Sequence, residues 1–176
     1  MVYNLGTVTS RYLDIRLTKG NAVMNINDAC DYIIHKVIAS GETISNLKLQ
    51  KLLYYVQAWN LVFEDRPLFD GKFQAWVHGP VSRNIYNRFA DTKTLYSDIT
   101  VHDVQPTFSP ASLDESEIGH IDRVLSVYAK FTGAQLEELT HKEDPWVQAR
   151  DGYEPFERCE KELDEGIMKH YYQQRL

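Results

Sequence analysis

The sequence predicts a mainly α, compact single-domain helical fold with about six helices and a few short extended segments. Three observations carry that expectation. Apolar residues recur at helical spacing over long stretches, helix-start signals stand before several of them, and proline and glycine cut the chain into helix-length pieces. A length of 176 residues fits one domain. A chain of this size buries roughly 70% of its extended-chain surface, so it needs no disulfide or metal staple.

Residues 1–23 stand apart as an N-terminal extension, and the domain is expected over 24–176. Within the extension Leu13, Ile15 and Leu17 alternate with polar neighbours, which suggests a short half-exposed strand. Met24 opens a fresh pattern and is an alternative start. A first helix is expected over 27–40, capped by Asn27, with Asp28 and Asp31 favouring its positive end and Gly41 following its last turn. The strongest helix spans 46–63 after a Ser45 cap. Leu49, Leu52, Leu53, Val56, Trp59 and Phe63 recur at helical spacing, and Leu47, Tyr54, Leu61 and Val62 widen the apolar surface beyond one stripe. Such a helix is enclosed by neighbours on several sides, so it is expected at the centre of the domain.

Asp65-Arg66-Pro67 ends that helix, because proline cannot continue the hydrogen-bond ladder. Phe73, Ala75 and Val77 alternate with Gln74 and Trp76 as a short extended piece. Gly79-Pro80 is expected to turn the chain, with Pro80 near the start of a third helix carrying Val81, Ile85, Tyr86 and Phe89. A second extended piece is expected over 99–104. Ser112 to Glu115 has capping-box spacing before a helix through Ile118, Ile121, Val124, Leu125 and Tyr128. Thr132 and Gln135 repeat that box before a shorter helix through Leu136 and Leu139. Asp144-Pro145 is a further start signal, and a last helix is expected over 164–174.

The net charge is -6, but it is unevenly placed. Residues 1–23 hold three basic side chains against one acidic, residues 24–110 eight against nine, and residues 111–176 eight against fifteen. The acidic last third argues against a generic nucleic-acid binder, which needs an excess of Lys and Arg toward phosphate. An apolar fraction of 43% is too high for a disordered chain. Cys30 and Cys159 lie far apart without metal-ligand spacing, so both read as small buried hydrophobes in a reducing cytoplasm. No apolar run approaches a membrane span and no secretory signal is visible, so a cytoplasmic protein is expected.

Catalytic signatures are scarce. There is no phosphate-binding glycine loop, no HExxH pair and no GxSxG elbow. Thr140 to Asp144 concentrates potential ligands. His141, Glu143 and Asp144 suit a metal by type, but the same residues suit a helix junction, with His141 at a C-terminus and Asp144 capping the next helix. His78 beside Gly79-Pro80 offers a second acid–base candidate with no nucleophile near it in sequence. Trp59 belongs to the core. Trp76, out of phase with Phe73 and Ala75, and Trp146, in a first helical turn, are candidates either for junction packing or for interface anchors. Arg83 and Arg88 read as a solvated face of the third helix.

Lys48-Leu-Gln-Lys-Leu-Leu-Tyr-Tyr-Val-Gln-Ala-Trp59 is followed in order by Arg66-Pro-Leu-Phe69, Gln74-Ala-Trp-Val-His-Gly-Pro-Val81, Tyr86 with Phe89, and Leu136 to Trp146. Together these motifs resemble the Panacea, or SocA-like, antitoxin domain family, the first of them its K-L-Q-K-L-L-Y-Y/F-x-Q-A-W signature. The resemblance covers residues 26–172. One departure is Val77-His78, where a tyrosine often precedes the Gly-Pro. The resemblance implies an antitoxin of a bacterial or prophage toxin–antitoxin system, neutralising a cognate toxin, encoded beside it, by direct protein–protein binding. It brings no catalytic residue, metal or cofactor, and it implies no direct nucleic-acid contact; homo-oligomerisation stays open. Trp76, His78, Arg83, Tyr86, Glu137, Glu138, His141 and Trp146 are the residues expected to meet the partner. Two alternatives remain. One is a proteolytic adaptor that delivers a toxin to an intracellular protease, and the other is a small metal-dependent or acid–base enzyme using His78 or His141.

Overall fold

The computed structural model describes residues 23–176. The strand expected around Leu13–Leu17, like the rest of the extension up to residue 22, lies outside the described residues. The elements run α1 (Ile26–Ala39), β1 (Ile44–Ser45), α2 (Asn46–Glu64), β2 (Phe73–Trp76), β3 (Gly79–Ser82), α3 (Arg83–Phe89), β4 (Asp98–Ile99), α4 (Glu115–Tyr128), α5 (Gly133–Thr140), α6 (Asp144–Ala149) and α7 (Glu165–Gln173). Two antiparallel sheets of two strands each join them, β1 with β4 and β2 with β3. The segment before α7 runs along the free edge of β2: Leu163 N–H donates to Phe73 O at 2.8 Å and Ala75 N–H to Lys161 O at 2.9 Å. Among the described residues no helix is long and apolar enough to cross a membrane.

Helix α2 is the axis, as its all-round apolar pattern predicts. Every residue from Asn46 to Leu61 is buried. Helices α1, α4, α5 and α7 and strand β3 pack around it. The Ser45 hydroxyl caps its first turn by accepting from Lys48 N–H, and Asp65 ends it in the left-handed conformation at φ 55°. The core is one continuous cluster, with Trp59 donating to the Tyr128 hydroxyl at 3.1 Å and Tyr55 stacked on Tyr128 at 3.9 Å.

A helix with no side facing water has to place its polar residues somewhere. Those of α2 satisfy backbone groups of the segments wrapped around it, which would otherwise be buried without partners. Gln57 accepts from Leu68 N–H at 2.9 Å and Phe69 N–H at 3.3 Å and donates to Phe69 O at 3.1 Å. Gln50 accepts from Ser82 N–H at 2.8 Å and donates to Ser82 O at 3.4 Å. Lys48 donates to Thr43 O, Lys51 to Pro80 O and Asn60 to Arg66 O. The polar letters of the K-L-Q-K…Q pattern are therefore loop clamps, and its apolar letters are core.

Several boundaries differ from the sequence expectation. Helix α1 is capped by Asn25, whose Oδ1 accepts from Asn27 N–H at 2.9 Å; Met24 is bridged to Phe69, which fixes the chain and starts the helix earlier. Gly79-Pro80-Val81 belongs to β3, not to a turn and helix start. The hairpin register sets Pro80 opposite Ala75 and Val81 opposite Gln74, and the Gln50 clamp holds Ser82 extended, so α3 begins at Arg83. Of the second extended piece only Ile99 is in a strand, Asp98–Ile99; Val101–Asp103 is a 3₁₀ turn. The capping box of α4 is Asp114 with Glu117, because Ser112 is taken up in the 3₁₀ turn Pro110–Ser112 and donates to Ser109 O. Helix α6 is preceded by Glu143, and Asp144 lies inside its first turn. The Thr132–Gln135 box and the starts of α2 and α7 stand as predicted.

Gly79 is the tightest point of the hairpin. Its φ of 90° is a left-handed conformation, and a Cβ there would lie 2.7 Å from both Lys51 Cε and Thr140 Oγ1. Gly79→Ala combines backbone strain with overpacking, so a loss of about 2–3 kcal/mol is expected. Chemical denaturation measures it, and a loss below about 0.5 kcal/mol would show that the hairpin tip yields freely.

Candidate functional site

The β2–β3 hairpin alternates Phe73 and Ala75 inward with Gln74 and Trp76 outward. That phase turns the Trp76 indole to the half-exposed side, where its Nε1–H donates to Gln74 Oε1 at 2.9 Å. Because α3 begins immediately after β3, its first turns come back beside Trp76. Tyr86 meets the indole edge to face at 4.7 Å, and the Arg83 guanidinium lies 4.6 Å from the indole centre. Arg83 also pairs with Glu160 at 2.6 Å. The three side chains form a cation–π stack on the surface.

The other side of the hairpin meets the α5–α6 junction. Trp146 Nε1–H donates to Trp76 O at 2.9 Å, and the His141 ring stacks on Trp146 at 4.2 Å. Glu137 lies one turn before His141 on α5. Its Oε1 is 2.9 Å from His78 Nδ1 and 4.0 Å from His141 Nε2. Seven of the eight residues predicted as partner contacts thus cluster around the hairpin through pairwise contacts: Tyr86, Arg83, Trp76, Trp146, His141, Glu137 and His78. Glu138 does not join them; it points to solvent and pairs with Lys142 at 2.6 Å.

Beneath this surface lies Lys51. It is fully buried and donates to Pro80 O at 3.0 Å. Burial pulls its ammonium down to about 7, with the Glu137 charge acting in the opposite direction. Burial also lowers His141, with Glu137 opposing. A second polar group, half-buried, sits at the start of α6. The Glu143 carboxylate accepts from Tyr55 OH at 3.1 Å and Tyr172 OH at 2.6 Å. Burial raises it to about 7 although both hydroxyls favour its charged form. Glu143 therefore ties α2 to α7, and at the N-cap position of α6 its side chain makes no capping bond.

No group of three or more His, Cys, Asp or Glu among the described residues is arranged to hold a metal ion. Cys30 and Cys159 are both buried, and burial pushes the Cys30 thiol up to about 12. Arg88, read from sequence as solvated, is instead drawn inward to the fully buried Asp31. The clamp made by Lys51 was not anticipated; its signal was a charge inside a segment apolar on every side, which demands a specific partner.

The family model described as Antitoxin SocA-like, Panacea domain, matches residues 49–147. A curated relative, Antitoxin SocA of Caulobacter vibrioides (strain NA1000 / CB15N), is 31% identical over 144 residues, which cover 77% of this chain and 76% of that protein. No solved structure matches the chain.

Proposed function

The chain belongs to the Antitoxin SocA-like, Panacea domain family, and from that premise we propose that it neutralises a cognate toxin by binding it directly through the hairpin surface. The antitoxin role follows from the family. The direct mode and the surface are our reading, and one observation supports them: the Arg83–Trp76–Tyr86 stack, already formed beside a histidine-bearing junction. Aromatic and arginine side chains dominate interface hot spots, and fixing them before contact removes ordering cost at association. Tyr86 is 39% exposed and His78 is exposed, so both are available to a partner. The partner is a toxin protein encoded beside this chain.

The test is co-expression of the protein from the adjacent reading frame with and without this chain, scored by growth and by co-purification. Rescue of growth with a co-purifying complex is expected. Tyr86→Ala in a folded protein is expected to weaken the complex by about 30-fold. Rescue without any complex would overturn direct binding, and an unchanged affinity for Tyr86→Ala and His78→Ala would overturn the surface. Toxin half-life separates neutralisation from protease delivery: an unchanged half-life fits the former, and a shortened one the latter.

A further inference from the structure

Beyond the hairpin surface, the chain between α6 and the strip that borders β2 forms an unusual loop. Arg150 is buried, and its guanidinium donates to four backbone carbonyls: Ala75 O at 2.9 Å, Glu154 O at 2.9 Å, Pro155 O at 3.3 Å and Glu157 O at 2.9 Å. Gly152 turns the chain at φ 87°, and the Glu157 carboxylate accepts from Glu154 N–H at 3.0 Å. The loop is thus fixed from inside by a charge that had to be desolvated to reach it. At its crest Phe156 is 89% exposed, the most exposed large apolar side chain among the described residues. Nothing in the core uses that ring.

The surroundings of the ring carry a charge sign. Residues 151–162 hold Asp151, Glu154, Glu157, Glu160 and Glu162 against Arg158 and Lys161. Arg158 is spent on Glu160, which also holds Arg83. The loop is therefore continuous with the Arg83–Trp76–Tyr86 stack through Glu160, and its net field is negative.

We infer that Phe156 is the anchor of the toxin contact, entering an apolar pocket on a protein whose rim carries Lys and Arg. The inference rests on the direct-binding reading and adds the chemistry of the partner's surface. A loop backbone fixed before contact presents the ring without ordering the chain on docking, and acidic side chains around it speed encounter with a basic rim. The pairing assigns the two parts separate tasks: the ring sets dissociation and the carboxylates set association.

The probe is the purified product of the adjacent reading frame, with binding kinetics read at two salt concentrations. Phe156→Ala, which removes no core contact, is expected to weaken binding by about 30-fold, chiefly through faster dissociation. Asp151→Lys with Glu154→Lys is expected to slow association at low salt by about tenfold, with the difference fading at high salt. Wild-type binding that is unchanged in Phe156→Ala overturns this inference and leaves direct binding standing. An association rate that the charge reversal leaves unchanged, or raises, overturns the basic rim. No binding by the wild type overturns the direct-binding reading, and this inference with it.

Discussion

Arg88→Ala is expected to destabilise the protein by about 3–5 kcal/mol, because removing one partner of a buried ion pair leaves the other charge uncompensated. Asp31 on α1 has no exposure, and Arg88 reaches it from α3. The same guanidinium donates to Asp103 O at 2.7 Å and to Asn27 Oδ1 at 3.4 Å, so it joins α1, α3 and the turn after β4. Burial raises the Asp31 carboxyl even with Arg88 beside it; without Arg88 it would rise further and take up a proton. For a domain of this size the melting temperature should fall by roughly 6–20 °C. Arg83→Ala is the control. Its pair with Glu160 is partly exposed, so it should cost less than about 1 kcal/mol. Equal losses for the two arginines would contradict the burial difference. Replacing both members, Asp31→Leu with Arg88→Met, should recover most of the loss, since an apolar pair of similar volume needs no desolvation.

The two arginines also show what the sequence carries and what it withholds. Both sit on one short helix, five positions apart, and periodicity gives no reason to separate them. Their fates differ because Asp31, far off in sequence, is brought to one and not to the other. The helices themselves were legible because their signals are local: Ser45, Thr132 and Asp164 act within one turn of the residues they cap. The hairpin was half legible. The outward phase of Trp76 follows from alternation, but the strand character of Gly79–Ser82 comes from Gln50, a clamp reaching across from α2. The candidate surface was readable as residue types only. That Trp146 and Trp76 touch depends on α6 returning to the hairpin, which no spacing in the sequence encodes.

Lys51 and Glu143 set opposite pH dependences on one structure, and their removal should expose each separately. Lys51 falls from its ordinary 10.5 to about 7 in the folded protein. Its destabilising contribution is therefore absent above pH 10.5, grows as pH falls, and is complete below about 7. Glu143 rises from 4.5 to about 7, so its cost is absent below 4.5 and grows as pH rises through 7. Between pH 6 and pH 9 the Lys51 contribution raises stability by about 3 kcal/mol while Glu143 lowers it by about 1 kcal/mol. Lys51 faces Glu137 on α5, with His141 and His78 on the far side of that carboxylate. Removing Lys51 also lifts its lowering effect on His141, so the comparison reads the lysine together with that coupled imidazole. Lys51→Met should therefore reverse the trend: relative to wild type, its stability gains about 3 kcal/mol less from pH 6 to pH 9. Glu143→Gln should gain about 1 kcal/mol more than wild type over the same interval. Urea denaturation at the two pH values measures both differences. If the Lys51→Met and wild-type stabilities run parallel, the lysine is not losing its proton in the folded state, and the Glu137 charge holds it as an ammonium under the hairpin. That outcome would make Lys51 and Glu137 a buried ion pair supporting the candidate surface, and Glu137→Gln should then be the more damaging change.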